Sequence, residues 1–99
     1  DNILIYMYES WFEKESHKLG IKDIKQTKNS IEIMLPVDLT NEIDGEKLFI
    51  NLFELSRMFR ISMRGRHLII TLDIIKLDKH FIYYLIDMLD VINKSKKTS

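Results

Sequence analysis

The sequence predicts an α+β domain in which three helices pack on a small antiparallel sheet of about four strands. Three segments carry apolar residues at spacings of three and four, which is the period of a helix with one buried face. Two pairs of shorter segments alternate apolar with polar residues, and a short turn joins the members of each pair, as in a β-hairpin. The predicted order is therefore α-ββ-α-ββ-α. With 99 residues, the chain has the size of one domain.

The first helix is predicted over residues 2–19, and it ends where Gly20 takes the left-handed conformation that follows many helices. Glu9, Glu13 and Lys18 lie among the polar residues of its outer side. Its stripe at spacings of three and four, the pattern of an amphipathic helix, consists of Leu4, Tyr8, Trp11, Phe12, Glu15 and Leu19.

A first hairpin is predicted from a strand that begins at Ile21 and a second strand over residues 31–35. Lys28 and Asn29 form its turn, in which Asn29 tolerates the positive φ angle that hairpin turns require. Pro36 ends the second strand because it has no amide hydrogen to donate to a neighbour.

Residues 37–43 are predicted to be an irregular connection, and a second helix begins at Asp44, whose carboxylate is a good N-cap. A second hairpin is predicted from strands over residues 59–63 and 68–72, with residues 64–66 between them. The second helix is expected to have a broad apolar face, consisting of Leu48, Phe49, Leu52, Phe53, Leu55 and Met58.

Asp78 is predicted to cap the third helix, which runs to about residue 93. Residues 95–99 form a polar, basic tail that is expected to fray. The inward face of the third helix is expected to consist of Phe81, Ile82, Leu85, Ile86, Leu89 and Ile92.

The composition excludes several classes of function. The chain has no cysteine, so disulfides, thiolate metal sites and thiol catalysis are excluded, and a reducing cytoplasm is the expected location. Fifteen basic and fifteen acidic side chains cancel, so no net charge attracts nucleic acid or an anionic membrane. The apolar runs are far shorter than the ~20 residues that cross a bilayer.

All four arginines lie within ten residues, at Arg57, Arg60, Arg64 and Arg66, and His67 follows. On the predicted hairpin, the last three arginines share a face, and the planar guanidinium suits carboxylates and phosphates. Three alternatives are open: a charged sheet edge that resists mispairing, a protein contact, or a nucleic-acid contact. Neither a basic net charge nor interleaved aromatic residues support the nucleic-acid alternative.

Aromatic and methionine side chains are concentrated in the two terminal helices. Either these helices pack on each other, or some of the side chains stay exposed and bind a partner, since such residues are enriched at interfaces. Tyr83 and Tyr84 are the candidates for partner contact in the last helix. The whole group consists of Tyr6, Tyr8, Trp11 and Phe12 in the first helix and Tyr83, Tyr84 and Met88 in the last.

No catalytic or metal-binding motif is found. Glu13 and His17 are four residues apart on one helix, which suits a surface pair better than a metal site with three or four ligands. Asp87 and Asp90 have no pocket signature around them, and no glycine-rich phosphate loop is present. We therefore expect no enzyme activity, cofactor or metal in this domain.

The sequence resembles the C-terminal domain of bacterial transcription-repair coupling factors, the Mfd family, over nearly the whole chain to about Asn93. The resemblance consists of hydrophobic spacings and helix ends, in the segments His17-Lys18-Leu19-Gly20-Ile21 with Ile24, Ser30-Ile31-Glu32-Ile33, Asp44-Gly45-Glu46-Lys47-Leu48, Leu68-Ile69-Ile70-Thr71-Leu72 and the helix after Asp78. Because the chain begins with Asp1, it is expected to be part of a longer protein, with residues 1–94 as a single regulatory domain.

The resemblance implies a regulatory role. Proteins of this family use ATP and Mg²⁺, bound in other domains, to move along DNA, displace stalled RNA polymerase and recruit UvrA for excision repair. Their C-terminal domain resembles an autoinhibitory module that covers the UvrA-binding surface of the UvrB-like N-terminal region. The implied partner is therefore that region directly, and UvrA and RNA polymerase indirectly. The alternative is a stand-alone interaction or dimerisation module. For this domain we expect no direct nucleic-acid or membrane contact and, in isolation, a monomer.

Overall fold

The structure, a computed structural model, describes residues 2–97 apart from the side chain of Asn2. Within this part, four helices and a four-stranded antiparallel sheet confirm the predicted α+β class and, apart from one added short helix, the predicted order. The elements are α1 (Asn2–Lys18), β1 (Asp23–Gln26), β2 (Ser30–Met34), α2 (Val37–Glu42), α3 (Gly45–Leu55), β3 (Phe59–Arg64), β4 (His67–Asp73) and α4 (Phe81–Lys94).

The sheet has the strand order β1-β2-β4-β3, so the two predicted hairpins join through the antiparallel pair of β2 and β4. In the central register, Ile70 lies opposite both Ile33 and Ile61. Alternate residues of β2 and β4 are buried under the helices, because successive side chains of a strand point to opposite faces. The strands β1 and β3 form the two edges of the sheet.

The helices cover one face of the sheet, and α4 lies between α1 and α3, in contact with both. The side chains of Ile82, Leu85, Met88, Leu89 and Ile92 in α4 are all buried. Burial of such side chains removes apolar surface from water and is the main driving force for folding. The core therefore lies between α4 and the two central strands.

The buried face of α1 differs from the predicted stripe. Phe12 and Ser16 are buried, whereas Leu4 and Trp11 are each 46% exposed. The apolar stripe predicted for this helix is therefore only partly buried, and of the two alternatives for its aromatic residues Trp11 follows the exposed one. The hydroxyl of Ser16 is buried without a hydrogen-bond partner among the described residues.

Glycine provides the two positive φ angles found in residues 2–97. Gly20 has a φ of +80° after α1, as predicted, and Gly65 has a φ of +63° between β3 and β4. A positive φ at the first central residue of a two-residue loop is the pattern of a type II′ hairpin turn. The positive φ expected for Asn29 is wrong, because the hydroxyl of Thr27 accepts hydrogen bonds from the amides of Asn29 and Ser30 and closes that turn instead.

Residues 37–43 are not an irregular connection, because Val37–Glu42 form the short helix α2. Pro36 is its N-cap, and its fixed φ of −65° allows β2 to end and α2 to begin. Leu39 is buried, and the hydroxyl of Thr40 accepts a hydrogen bond from the amide of Leu68. Tertiary contacts thus stabilise a segment whose composition does not favour a helix.

The cap of α3 was predicted correctly, but the cap of α4 was not. The carboxylate of Asp44 accepts hydrogen bonds from the amides of Glu46 and Lys47 at the start of α3. The N-cap of α4 is His80, whose Nδ1 accepts from the amide of Ile82 at 3.1 Å. Asp78 lies two residues before this cap and binds Tyr84 instead.

Residues 95–97 are hydrogen-bonded to the end of α2, to the loop before α3 and to α3 itself. This differs from the frayed tail expected over residues 95–99. Ser95 is buried, its hydroxyl accepts from Nδ2 of Asn51 at 3.2 Å, and its carbonyl accepts from the amide of Asp44 at 2.8 Å. The amide of Lys97 donates to the carbonyl of Glu42 at 2.7 Å. The last two residues, 98 and 99, lie outside the described part of the chain.

Candidate functional site

The arginines of the second hairpin occupy three different environments. Arg60 and Arg64 alternate on β3 and share the sheet face that the helices leave open. Arg66 lies in the turn beyond β3. Arg57 precedes the strand, and its guanidinium carbon lies 5.6 Å from the ring centroid of Phe53. All four arginine side chains are exposed, but only two of them form a row on the sheet.

One of these arginines takes part in an ion pair on the open face. Nη2 of Arg64 lies 3.6 Å from Oε1 of Glu32, which belongs to β2. On β4, Thr71 lies opposite Glu32 and His67 lies opposite Arg64. Ile69 lies between Thr71 and His67 on the same face of β4, so the ion pair crosses the position of Ile69. Ile69 is only 2% exposed although it lies on the open face, outside the core cluster. The ion pair therefore lies over an apolar side chain on this face.

A second exposed surface lies on α1 and is apolar. We define the α1 face as five side chains of the first three turns that are between 46% and 78% exposed. Beside it, a groove of about 350 Å³ separates α1 from α4, with Tyr8 and Ile86 in its walls. Isolated exposed apolar residues are normal, but a contiguous group of this kind marks interaction surfaces. The α1 face consists of Ile3, Leu4, Tyr6, Met7 and Trp11.

The two candidate tyrosines of α4 make contacts within the domain. The ring of Tyr83 packs edge-to-face on the ring of Tyr8, with centroids 5.3 Å apart. Nζ of Lys79 lies 5.8 Å from the ring centroid of Tyr83 and 5.0 Å from that of Tyr84. The hydroxyl of Tyr84 donates to Oδ1 of Asp78, and this hydrogen bond lowers the pKa of Asp78 and raises the pKa of Tyr84. Packing of the terminal helices on each other thus accounts for Tyr8 and Tyr83.

A second exposed apolar group lies on α3, where the broad apolar face predicted for this helix is only partly buried. Phe49 and Phe53 are 56% and 47% exposed, and their rings stack with centroids 5.9 Å apart. Leu48 and Leu52 of the same helix are buried. The run of apolar residues is wider than one buried face, and this width is the signal that some of them point outward.

The described residues contain no group of three or more histidine, aspartate or glutamate side chains that could hold a metal ion. Glu13 and His17 are both exposed on α1. The other two histidines have structural contacts: Nδ1 of His67 lies 3.0 Å from the carbonyl of Leu35, and His80 caps α4. Over residues 2–97, no helix combines the length and the apolar character of a membrane span.

Comparisons with protein-family models, with curated proteins and with solved structures find no match to this chain. The geometry provides exposed apolar and cationic surfaces, and such surfaces suit binding of another protein.

Proposed function

We propose that this chain is the non-catalytic, autoinhibitory C-terminal domain of a cytoplasmic, ATP-dependent DNA translocase of the transcription-repair coupling factor family. In this proposal the domain binds the UvrB-like region of the same protein and covers the surface that recruits UvrA. Binding of the translocase to stalled RNA polymerase releases the domain, which is a shift between a closed and an open population.

The observation that carries the proposal is the α1 face. Tyr6 and Met7 are 76% and 62% exposed, and Ile3 is 78% exposed, so one helix presents several large apolar side chains to solvent. Burial of this surface against another domain yields a favourable free energy, in proportion to the apolar area removed from water. An inhibitory contact that other partners displace needs only a modest surface of this kind.

The distribution of charged side chains affects how such a contact forms. The chain has no net charge, but its arginines are all on or next to one hairpin. Charged groups at the rim of an interface mainly fix its register and its association rate, whereas buried aromatic anchors provide most of the affinity. We therefore assign the affinity of the closed state to the α1 face, and to Arg60, Arg64 and Arg66, which lie away from that face, only a long-range effect on the association rate.

The experiment measures binding of the chain to the UvrB-like region encoded in the same genome, by isothermal titration calorimetry. The double variant Tyr6→Ala with Met7→Ala is expected to weaken binding at least about tenfold, because interface aromatic residues are common hot spots. Phe49→Ala is the matched control, since Phe49 is also an exposed helical aromatic side chain but lies on α3. The triple variant of Arg60, Arg64 and Arg66 to Ala is expected to lower mainly the association rate.

Two results would contradict this proposal. Absence of binding between the wild-type chain and the UvrB-like region would rule out the autoinhibitory function. Light scattering that shows a dimer, lost in the Tyr6 and Met7 double variant, would instead assign the α1 face to self-association. That second function, a dimerisation module, is favoured by the same exposed apolar side chains.

A further inference from the structure

Within residues 2–97, the strand β3 forms an edge of the sheet. It is the last strand in the order β1-β2-β4-β3, so β4 pairs with it on one side only. The amide of Asp73 donates to the carbonyl of Met58 at 3.0 Å, which fixes the alternation of hydrogen bonds between the two strands. By this alternation the backbone groups of Arg60 and Arg64 form hydrogen bonds to β4, while the backbone groups of Ile61 and Met63 point away from β4. These two residues offer hydrogen bonds to a further strand.

The side chains along this edge form two different rows. On the face covered by helices, Ile61 is half-buried and Met63 is 58% exposed, so this row is apolar. On the open face, Arg60 and Arg64 are exposed and four residues apart, with Ser62 between them, so this row is cationic. Residues 57–67 include four arginines and no acidic residue. A strand placed beside β3 therefore meets apolar side chains on one face and guanidinium groups on the other.

We propose that the outer edge of β3 binds an extended polypeptide segment in which acidic and apolar residues alternate. The segment adds a fifth strand to the sheet, through main-chain hydrogen bonds to Ile61 and Met63. Its acidic side chains lie beside Arg60 and Arg64, and its apolar side chains lie beside Ile61 and Met63. Main-chain pairing provides affinity in this mode of recognition, and the alternate side chains provide specificity.

The charges at the edge decide between this segment and a second copy of the chain. Two copies paired through β3 bring arginine side chains of both copies to one face, and like charges on adjacent strands destabilise pairing. A charged edge is also how natural sheets avoid pairing with themselves. The same arginines attract carboxylates, for which the guanidinium fork has the matching geometry. The edge thus excludes its own copy and accepts an acidic strand.

This surface is separate from the α1 face. Phe12 of α1 lines the same small cavity as Ile24 of β1, so α1 lies over the β1 side of the sheet. In contrast, α3 contacts β3 at the opposite side. The inference does not rest on docking of the α1 face, and the Tyr6 and Met7 variants that test that face leave the edge of β3 unchanged.

The test uses an acetylated and amidated peptide of sequence Glu-Val-Glu-Val-Glu-Val, titrated into the chain and followed by NMR. At saturation, hydrogen exchange of the Ile61 and Met63 amides is expected to slow. The same peptide with N-methyl groups on its valines, and a Lys-Val peptide of equal length, are both expected to bind at least about tenfold more weakly, because they lose main-chain bonds or charge complementarity.

Matched variants locate the site. Arg60→Ala with Arg64→Ala is expected to weaken binding of the Glu-Val peptide about tenfold, the effect of two exposed charge contacts. Lys25→Ala, on the opposite edge strand β1, is expected to leave it unchanged. Arg60→Glu with Arg64→Glu is expected to prefer the Lys-Val peptide. Glu32→Gln frees Arg64 from its ion pair and is expected to strengthen binding.

Three results would overturn the proposal, and none of them depends on the α1 face. The first is unchanged exchange at Ile61 and Met63 when the peptide saturates the chain. The second is equal binding of the Glu-Val and Lys-Val peptides, since it would show that the arginines select nothing. The third is slowed exchange confined to β1, which would place the peptide on the other edge of the sheet.

Discussion

At the scale of single residues, the hydrogen bond from Tyr84 to Asp78 links two ionisations. It favours the charged carboxylate, so the pKa of Asp78 is lowered, and it favours the neutral phenol, so the pKa of Tyr84 is raised. The stabilising contribution of Asp78 is therefore full above its unfolded-state pKa and is lost as the pH falls through its folded-state pKa. That of Tyr84 is full below its unfolded-state pKa and is lost as the pH rises through its folded-state pKa.

We predict that Tyr84→Phe moves the pKa of Asp78 up toward its ordinary value, because the variant removes the donated hydrogen bond. The measurement is an NMR titration of the side-chain carboxyl carbon of Asp78. Tyr83→Phe is the control, since the ring of Tyr83 packs on Tyr8. An unchanged Asp78 titration in Tyr84→Phe would show that this hydrogen bond does not form in solution.

The conformation of single residues is predictable from the sequence where their chemistry is local. Asp44 was identified as a cap because a carboxylate followed by a helical pattern is enough to specify one. Gly20 was identified because glycine readily takes a positive φ. The pairing of Arg64 with Glu32 was not predictable, because it depends on which strands are neighbours. The exposure of Phe49 was missed for a similar reason, since it depends on where α4 lies.

At the scale of elements, α4 shows how a cap can differ from the strongest candidate in the sequence. Asp78 has the better capping side chain, but His80 is the residue directly before the helix, and its Nδ1 accepts from the amide of Ile82. A histidine accepts at Nδ1 only when that nitrogen carries no proton, so the capping tautomer has its proton on Nε2. The engagement of Asp78 with Tyr84 leaves His80 to satisfy the helix end.

We predict that His80→Ala lowers the free energy of unfolding by about 1 kcal/mol, the usual effect of losing an N-cap. His80→Ser is expected to restore most of this loss, because a serine hydroxyl accepts the same hydrogen bond. Both values come from urea denaturation at neutral pH. Asp78→Ala in a Tyr84→Phe background, which takes the Asp78–Tyr84 hydrogen bond out of the comparison, serves as the control: a loss as large as that of His80→Ala would place the cap at Asp78.

The short helix α2 marks a limit of element prediction. Its six residues include Val37, Thr40 and Asn41, which have modest helix propensity, and its N-cap Pro36 provides no side-chain hydrogen bond. A helix this short is unstable alone, because nucleation costs more than a few hydrogen bonds return. Burial of Leu39 and the hydrogen bond from the amide of Leu68 to the hydroxyl of Thr40 stabilise it, and Leu68 is distant in sequence. The sequence pattern alone therefore predicts an irregular segment here.

At the scale of the whole molecule, the sequence specified the class but not the order of the strands. Helical and alternating periods are local, so they predicted two hairpins and the helices that follow them. The pairing of β2 with β4 joins segments some forty residues apart, and no local signal reports it. The burial patterns are consistent with this order: β2 and β4 contain most of the buried strand residues, while β1 is exposed throughout.

The position of α4 between α1 and α3 gives a prediction that separates the stability of the domain from its binding. Met88 of α4 is fully buried, whereas Met7 of α1 is 62% exposed, so the same substitution removes a core contact in one place and surface in the other. Met88→Ala is expected to lower the free energy of unfolding by about 2–5 kcal/mol through the cavity it leaves. Met7→Ala is expected to change it by no more than about 0.5 kcal/mol.

Both free energies are measured by urea denaturation, and the slope of the transition is compared to verify that both variants unfold as the wild type does. If α4 is the central helix, Met88→Ala destabilises the whole domain in one transition, because the helices on both sides lose their support together. A transition in which α3 stays folded while α1 unfolds would show that the two helices on either side of α4 unfold independently. A large loss of stability in Met7→Ala would mean that the α1 face is part of the core, and its availability to a partner would then be refuted.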